Sequence, residues 1–324
     1  GLIEFKLSVS REQIKSLLLK EKVKITLRDE FHKSDLFTDQ DALPLYGETC
    51  EIEAEEISIR GFVNLPQIQK LEASGGSSFK FISDSGSFTH LVGEEMEFIL
   101  NQGGKLRKLS VRGQARITED DKERGYPRYI EGQSLSIQGE TDVLNVQGKD
   151  VLKARIRSQD SEVSAQDISL FLKSNDFEAK EDVEVVFYPS KTSDRAIGFF
   201  SKENLVFIIA DDVRYSEKQN RFLFSGEVKL WQTIETVMTR LLRLDVERGT
   251  IRARGGIKSI LPYQPKGKQE EEKLSIEAEE MDFDQEKNLI IYRNKVVLRE
   301  KNMNLSAQTL LIALEKEGGK IKTM

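Results

Sequence analysis

The sequence predicts an all-β fold, an elongated β-jelly roll of two facing sheets made from bent antiparallel strands in tandem repeats. Three observations predict it: an apolar frame that recurs eight times, a second element at constant distance from it, and polar insertions between copies.

The frame is centred on a small residue, with apolar residues two before, three after and five after it. It fits at Ala54, Gly93, Gly132, Ala165, Ala210, Thr239, Ala278 and Ala307. The positions two before are Ile52, Leu91, Ile130, Val163, Ile208, Val237, Ile276 and Leu305. Those three and five after are Ile57 and Ile59, Met96 and Phe98, Leu135 and Ile137, Ile168 and Leu170, Val213 and Tyr215, Leu242 and Leu244, Met281 and Phe283, and Leu310 and Ile312. Every slot is apolar in a chain that is 38% hydrophobic, which chance does not supply. Apolar residues two apart mark one face of a strand, because alternate side chains point to opposite sides. The step of three after the small residue would flip that face, so a kink must stand there, where little side chain is needed.

The second element has apolar neighbours two and four away on both sides of a small or polar centre. The clearest copies are Phe222, Phe224, Gly226, Val228, Leu230 and Ile290, Tyr292, Asn294, Val296, Leu298. Weaker ones centre on Gly113, Gly148, Glu181 and Gly255, and Leu17, Leu19, Glu21, Val23, Ile25 add an N-terminal copy. In five units the two centres are 16 residues apart, as from 210 to 226 and from 278 to 294. Constant spacing across varied residues is the sign of a structural repeat. Leu2, Glu4, Leu7 and Val9 would form a further first element.

Unit-to-unit steps run from 29 to 45 residues, the longest lying between Ala165 and Ala210, and the excess over 29 reads as insertion. Glu119 to Pro127, Pro189 to Arg195 and Leu261 to Lys273 are polar and hold four of the six prolines, as loops at strand ends do. Residues 1–324 are thus expected to form one continuous array, looser over 1–160 and clear over 161–324. Trp231, Ile234, Val237, Met238, Leu241 and Leu242 have helical spacing, and Arg11 to Lys20 invites a short helix, but the repeat frame predicts strand over 231–242.

Composition narrows the function. A net charge of -6, with Lys and Arg interleaved among Asp and Glu, gives no basic surface for nucleic acid. The longest apolar run, Leu205 to Ala210, is far short of the roughly 20 residues of a membrane-spanning helix. Cys50 is the single cysteine and reads as a packing residue in phase with Ile52. His32 and His90, the two histidines, have no metal-ligand spacing, and His90 falls on an outward strand phase. Gly75-Gly76, Gly103-Gly104 and Gly318-Gly319 lack the lysine and helix of a phosphate loop and read as turns. Glu279, Glu280 and Asp282 read as outer-face charges, so that charge reversal at Asp282 is expected to be nearly silent. No catalytic constellation, metal site or cofactor emerges, and the chain reads as a non-enzyme.

Leu274 to Asp284 followed by Ile290 to Leu298, with Ile208 to Leu230 and Leu305 to Ile312, resembles the OstA-like repeat of the lipopolysaccharide-transport periplasmic bridge family. The chain is longer than that family's usual single module. The resemblance implies a periplasmic β-jelly roll of outer-membrane biogenesis whose groove shelters the acyl chains of lipopolysaccharide or a similar lipid. It also implies ends that dock edge to edge with similar jelly rolls or a second copy. The lipid-groove candidates are then the sixteen residues three and five after the frame centres, Ile57 to Ile312. The alternative is a structural or adhesive β-solenoid whose core is filled by its own side chains, with no ligand.

Overall fold

Each bend in this protein is made by an extra residue in every second strand. The computed structural model describes residues 3–5, 16–28, 49–61, 68–82, 86–101, 106–121, 126–139, 141–189, 198–264, 272–301, 303–315 and 321–323. His32, Leu2, Leu7, Val9, Gly103-Gly104, Gly318-Gly319 and most of the insertion after Pro189 lie outside them, as does the side chain of Cys50. Among the described residues every long element is a strand and none is a helix.

The chain divides into two compact units, one of residues 1–159 and 166–175 and one of 160–165 and 176–324. In the first unit, β1 (Ile3–Phe5) lies beside β2 (Ser16–Arg28). There follow β3 (Thr49–Gly61), β4 (Ile68–Ile82), β5 (Phe88–Leu100), β6 (Leu106–Asp121) and β7 (Tyr126–Gln138), each antiparallel to the one before. Next come β8 (Val143–Gln147) and β9 (Ala154–Arg157), both paired to β7. β11 (Asp167–Phe171) pairs with β8. In the second unit β10 (Ser161–Ala165) pairs with β12 (Asp176–Phe187). The antiparallel run continues through β13 (Val206–Ser216), β14 (Arg221–Gln232), β15 (Glu235–Asp245) and β16 (Thr250–Tyr263). It closes with β17 (Glu272–Asp284), β18 (Leu289–Glu300), β19 (Met303–Leu314) and β20 (Ile321–Thr323).

The registers locate the bend. Lys180 pairs with Asp212 and Val183 with Ala210, so two residues of β12 face one of β13. The same two-against-one count recurs opposite Glu55, Glu94, Gln133, Arg240, Glu279 and Gln308, each next after a predicted frame centre. The extra pair adopts left-handed backbone: Glu21-Lys22, Gly113-Gln114, Glu181-Asp182, Gly255-Gly256 and Asn294-Lys295 among them. This is a β-bulge, which bends a strand and sharpens its twist. Gly226 shows why the residue type matters. Its φ is 98°, a Cβ there would overlap the Asp211 carboxylate, and that carboxylate accepts the Glu227 N–H at 3.2 Å.

Several expectations need correction. Gly75-Gly76 is the bulge of β4 and not a turn, because both residues sit left-handed in mid-strand. The element around Gly148 is broken, since Lys149 and Leu152 bridge to each other in a small loop between β8 and β9. The frame around Ala165 is likewise cut at Gln166, with β10 in one unit and β11 in the other. β1 runs parallel to β2, against the antiparallel rule. Strands also reach into two insertions, β6 to Asp121 and β7 from Tyr126, and β16 to Tyr263 and β17 from Glu272. The helical spacing over 231–242 is misleading: Trp231 lies in β14, which ends at Gln232, Thr233 and Ile234 make the turn with Thr233 at a positive φ, and Val237, Met238, Leu241 and Leu242 belong to β15, as the frame requires.

Candidate functional site

Two arms meet at each line of bends, and the inward row stays apolar through both. In β17 the buried residues are Leu274, Ile276 and Ala278 before the bend and Met281 and Phe283 after it. In β18 they are Ile290 and Tyr292, then Val296 and Leu298. The left-handed pair loops outward between them, so Asn294 and Lys295 are exposed although Asn294 falls on the inward phase by simple alternation.

Within each unit the inward rings of the two arms touch. Phe79, in the arm of Ile52 and Leu91, lies 4.6 Å centroid to centroid from Phe98 in the opposite arm. Phe187 and Phe222, at the free margins of opposite arms, meet edge to face at 5.3 Å. The Ser259 hydroxyl of one arm approaches Met281 Sδ of the other at 3.9 Å. Such ring pairs hold arms together beyond their area burial by about 1 kcal/mol each.

Of the sixteen predicted inward residues, Ile57, Ile59, Met96, Phe98, Leu135, Ile137, Ile168, Leu170, Val213, Leu242, Leu244, Met281, Phe283 and Ile312 are buried. Tyr215 and Leu310 are partly exposed. The Tyr215 ring stacks on Phe177 at 5.2 Å while its hydroxyl donates to Glu217 at 2.9 Å, an apolar body with a wet tip. The structure brings Ile57 through Leu170 together in the first unit and Val213 through Ile312 in the second.

Polar groups interrupt the inward row at a few places. Thr89, Glu119 and Arg128 are neighbours across β5, β6 and β7, next outward from Leu91, Ile117 and Ile130. Glu119 is 3% exposed and accepts from Arg128 at 2.8 Å, and Arg128 also donates to Asn175 at 3.3 Å. Tyr292 is wholly buried, and that burial pushes its hydroxyl far above the ordinary phenol range. The outer face carries the charges: Lys70 and Lys108 hold Glu97 from two strands at 2.8 and 2.6 Å, pulling its carboxyl down to about 2. His90 faces outward as expected but shares a hydrogen bond with Ser78 Oγ at 2.8 Å, and partial burial beside Lys80 lowers its pKa. Asp282 is an outer-face residue, yet it sits among Arg252 at 3.9 Å, Arg254 at 3.2 Å and Arg293. Among the described residues no group of His, Cys, Asp and Glu is arranged to hold a metal.

One set of interior residues lay outside the repeat frame. Phe199 and Phe200, before β13, are 6% and 2% exposed, and Phe199 meets Phe283 edge to face at 5.5 Å. The signal for them was the long step of 45 between Ala165 and Ala210, which leaves room for an inserted segment.

No protein-family model and no curated protein sequence matches the chain. Among solved structures it is similar to LptH, the LptA homologous periplasmic component of the conserved lipopolysaccharide transport device from Pseudomonas aeruginosa. The match is 13% identical, covers 45% of this chain and all of that one, and has a TM-score of 0.36.

Proposed function

We propose that this protein holds the acyl chains of lipopolysaccharide or a similar lipid between the arms of its bent strands, in the periplasm, as part of a bridge between membranes. The observation that carries the reading is the inward row: apolar on both sides of the bend in strand after strand, with charges kept to the outer face and the free margins. A row of that kind solvates aliphatic chains at about 25 cal/mol for each Å² removed from water. The sequence resemblance to the OstA-like repeat supports the same reading, and the sixteen inward residues are its proposed contacts.

Bridging is proposed for the exposed edge of β19. Among the described residues, its 303–309 half pairs with β18 alone, and Leu305, on the inward phase, is 40% exposed. An edge of this kind accepts another strand. The expected partner is a similar jelly roll or a second copy.

The competing reading is a solid structural core, and the ring contacts across the arms favour it. Extraction of lipid from protein purified from its native membrane-bearing cell, followed by native mass spectrometry, separates the two. A stoichiometric bound lipid supports holding, whereas a bare mass together with no uptake of added lipopolysaccharide removes it.

A further inference from the structure

The second unit contains an occupant of its own interior. Phe199 and Phe200 stack on each other at 4.5 Å, and neither belongs to a strand. Phe199 leans on Phe283, and the Gly198 backbone lies so close to Ile251 that a side chain there would collide with it and touch Phe283. Ile251 and Phe283 stand near the free margin of one arm. At the margin of the opposite arm, Gln232 turns inward, 2% exposed, and clamps the same segment. Its amide oxygen accepts the Ser201 N–H at 2.7 Å, and its amide nitrogen donates to the Ser201 and Asn204 carbonyls at 2.8 and 2.9 Å. The segment 198–204 thus spans the mouth between two arms, rings inward, with Lys202, Glu203 and Asn204 exposed.

Among the other described residues the buried apolar side chains come from strands, apart from Leu172 in the turn after β11. Here an inserted segment supplies them, and the hydrogen bonds of Gln232 and the two rings are among the contacts that hold it. A strand residue is tied by ladder bonds on both sides and cannot leave without breaking the sheet, whereas this segment can lift without disturbing any strand pairing. Two stacked phenyl rings also present to the interior the kind of surface an aliphatic chain presents.

We infer that Phe199 and Phe200 are a displaceable plug, occupying in the second unit a binding site for one straight aliphatic chain along Ile251 and Phe283. The inference rests on the lipid-holding reading and adds where a chain enters and what it must push aside. Binding then costs the removal of the plug, which lowers the apparent affinity by the fraction of molecules in the open state.

The test uses the full chain and a fatty acid with a conjugated tetraene tail, fluorescent only in apolar surroundings. Wild type, the double variant Phe199→Ala/Phe200→Ala, and Gln232→Ala, which frees the clamp and keeps the rings, are titrated side by side. Both variants are expected to bind more tightly, the double variant on the order of tenfold. In the wild type, saturating probe is expected to speed tryptic cleavage after Lys202 severalfold, because the segment has been released. Binding by the wild type with unchanged affinity in the variants, or with unchanged cleavage at Lys202, overturns the plug and leaves lipid holding in place. Absence of binding in all three proteins overturns both. Should the double variant fail to fold, Gln232→Ala decides: tighter binding supports the plug and unchanged binding overturns it.

Discussion

Asp282 and Phe283 are adjacent in β17 and point to opposite sides of it. Phe283→Asp places a charge against the opposite arm and Phe199, and is expected to cost several kcal/mol in denaturant unfolding. Charge reversal at Asp282 looked nearly silent from the sequence, but Asp282→Lys puts a fourth cation among Arg252, Arg254 and Arg293. It is expected to destabilise by about 1 kcal/mol, as exposed like charges in contact do, and high salt should relieve it. At the bulges, Gly226→Ala is expected to cost about 1–2 kcal/mol, since it strains a left-handed residue and displaces Asp211. Asn294→Gly, at φ 67°, is expected to be neutral or to stabilise by a few tenths of a kcal/mol. Equal effects of Gly226→Ala and Asn294→Gly would contradict the bulge account. The inward residues were legible because alternation is written along one strand. The arginines around Asp282 were not, because they come from β16 and β18 and depend on register between strands.

At the scale of the strand, the bend was legible only in half of its members. The step of three in the frame of Ala278 exposed the kink, but in β18 the bulge adds one residue to a step that already looked regular, Tyr292 to Val296, and so hid itself. The charged ladder Lys70, Glu97, Lys108 ties β4, β5 and β6 on their outer face. Glu97 has a folded pKa of about 2, below its ordinary value, so its contribution is present above about pH 4.5 and is lost as pH falls through 2. Glu97→Gln is therefore expected to lower stability near neutrality and to flatten the acid limb of the stability profile over that window. An unaltered acid limb would show that the ladder contributes nothing. For the edge of β19, a photo-crosslinker at Leu305 is expected to capture a second jelly-roll chain, while one at Arg214, outward on β13, is not. Equal capture at both positions would leave the edge without a role.

The whole molecule resolves into two units, and the division falls inside one repeat, at Gln166, where the sequence frame is intact. Pattern could not reveal that break, because the residues flanking Ala165 keep their apolar phase while the Gly148 element before it is split by the loop of Lys149 to Leu152. That residues 1–324 act as one array is a proposal, and unfolding followed by two probes tests it. Coincident transitions from Trp231 fluorescence and from far-ultraviolet ellipticity are expected, and two separated transitions would mean independently folding units. The central claim is that the inward rows hold lipid. It is tested most directly by native mass spectrometry of the intact chain after incubation with lipopolysaccharide, beside Phe283→Asp and Leu170→Asp variants whose folding has been verified. A bound-lipid mass is expected on the wild type, reduced in either variant. A wild-type chain that stays bare, or variants that load as fully as the wild type, would contradict it.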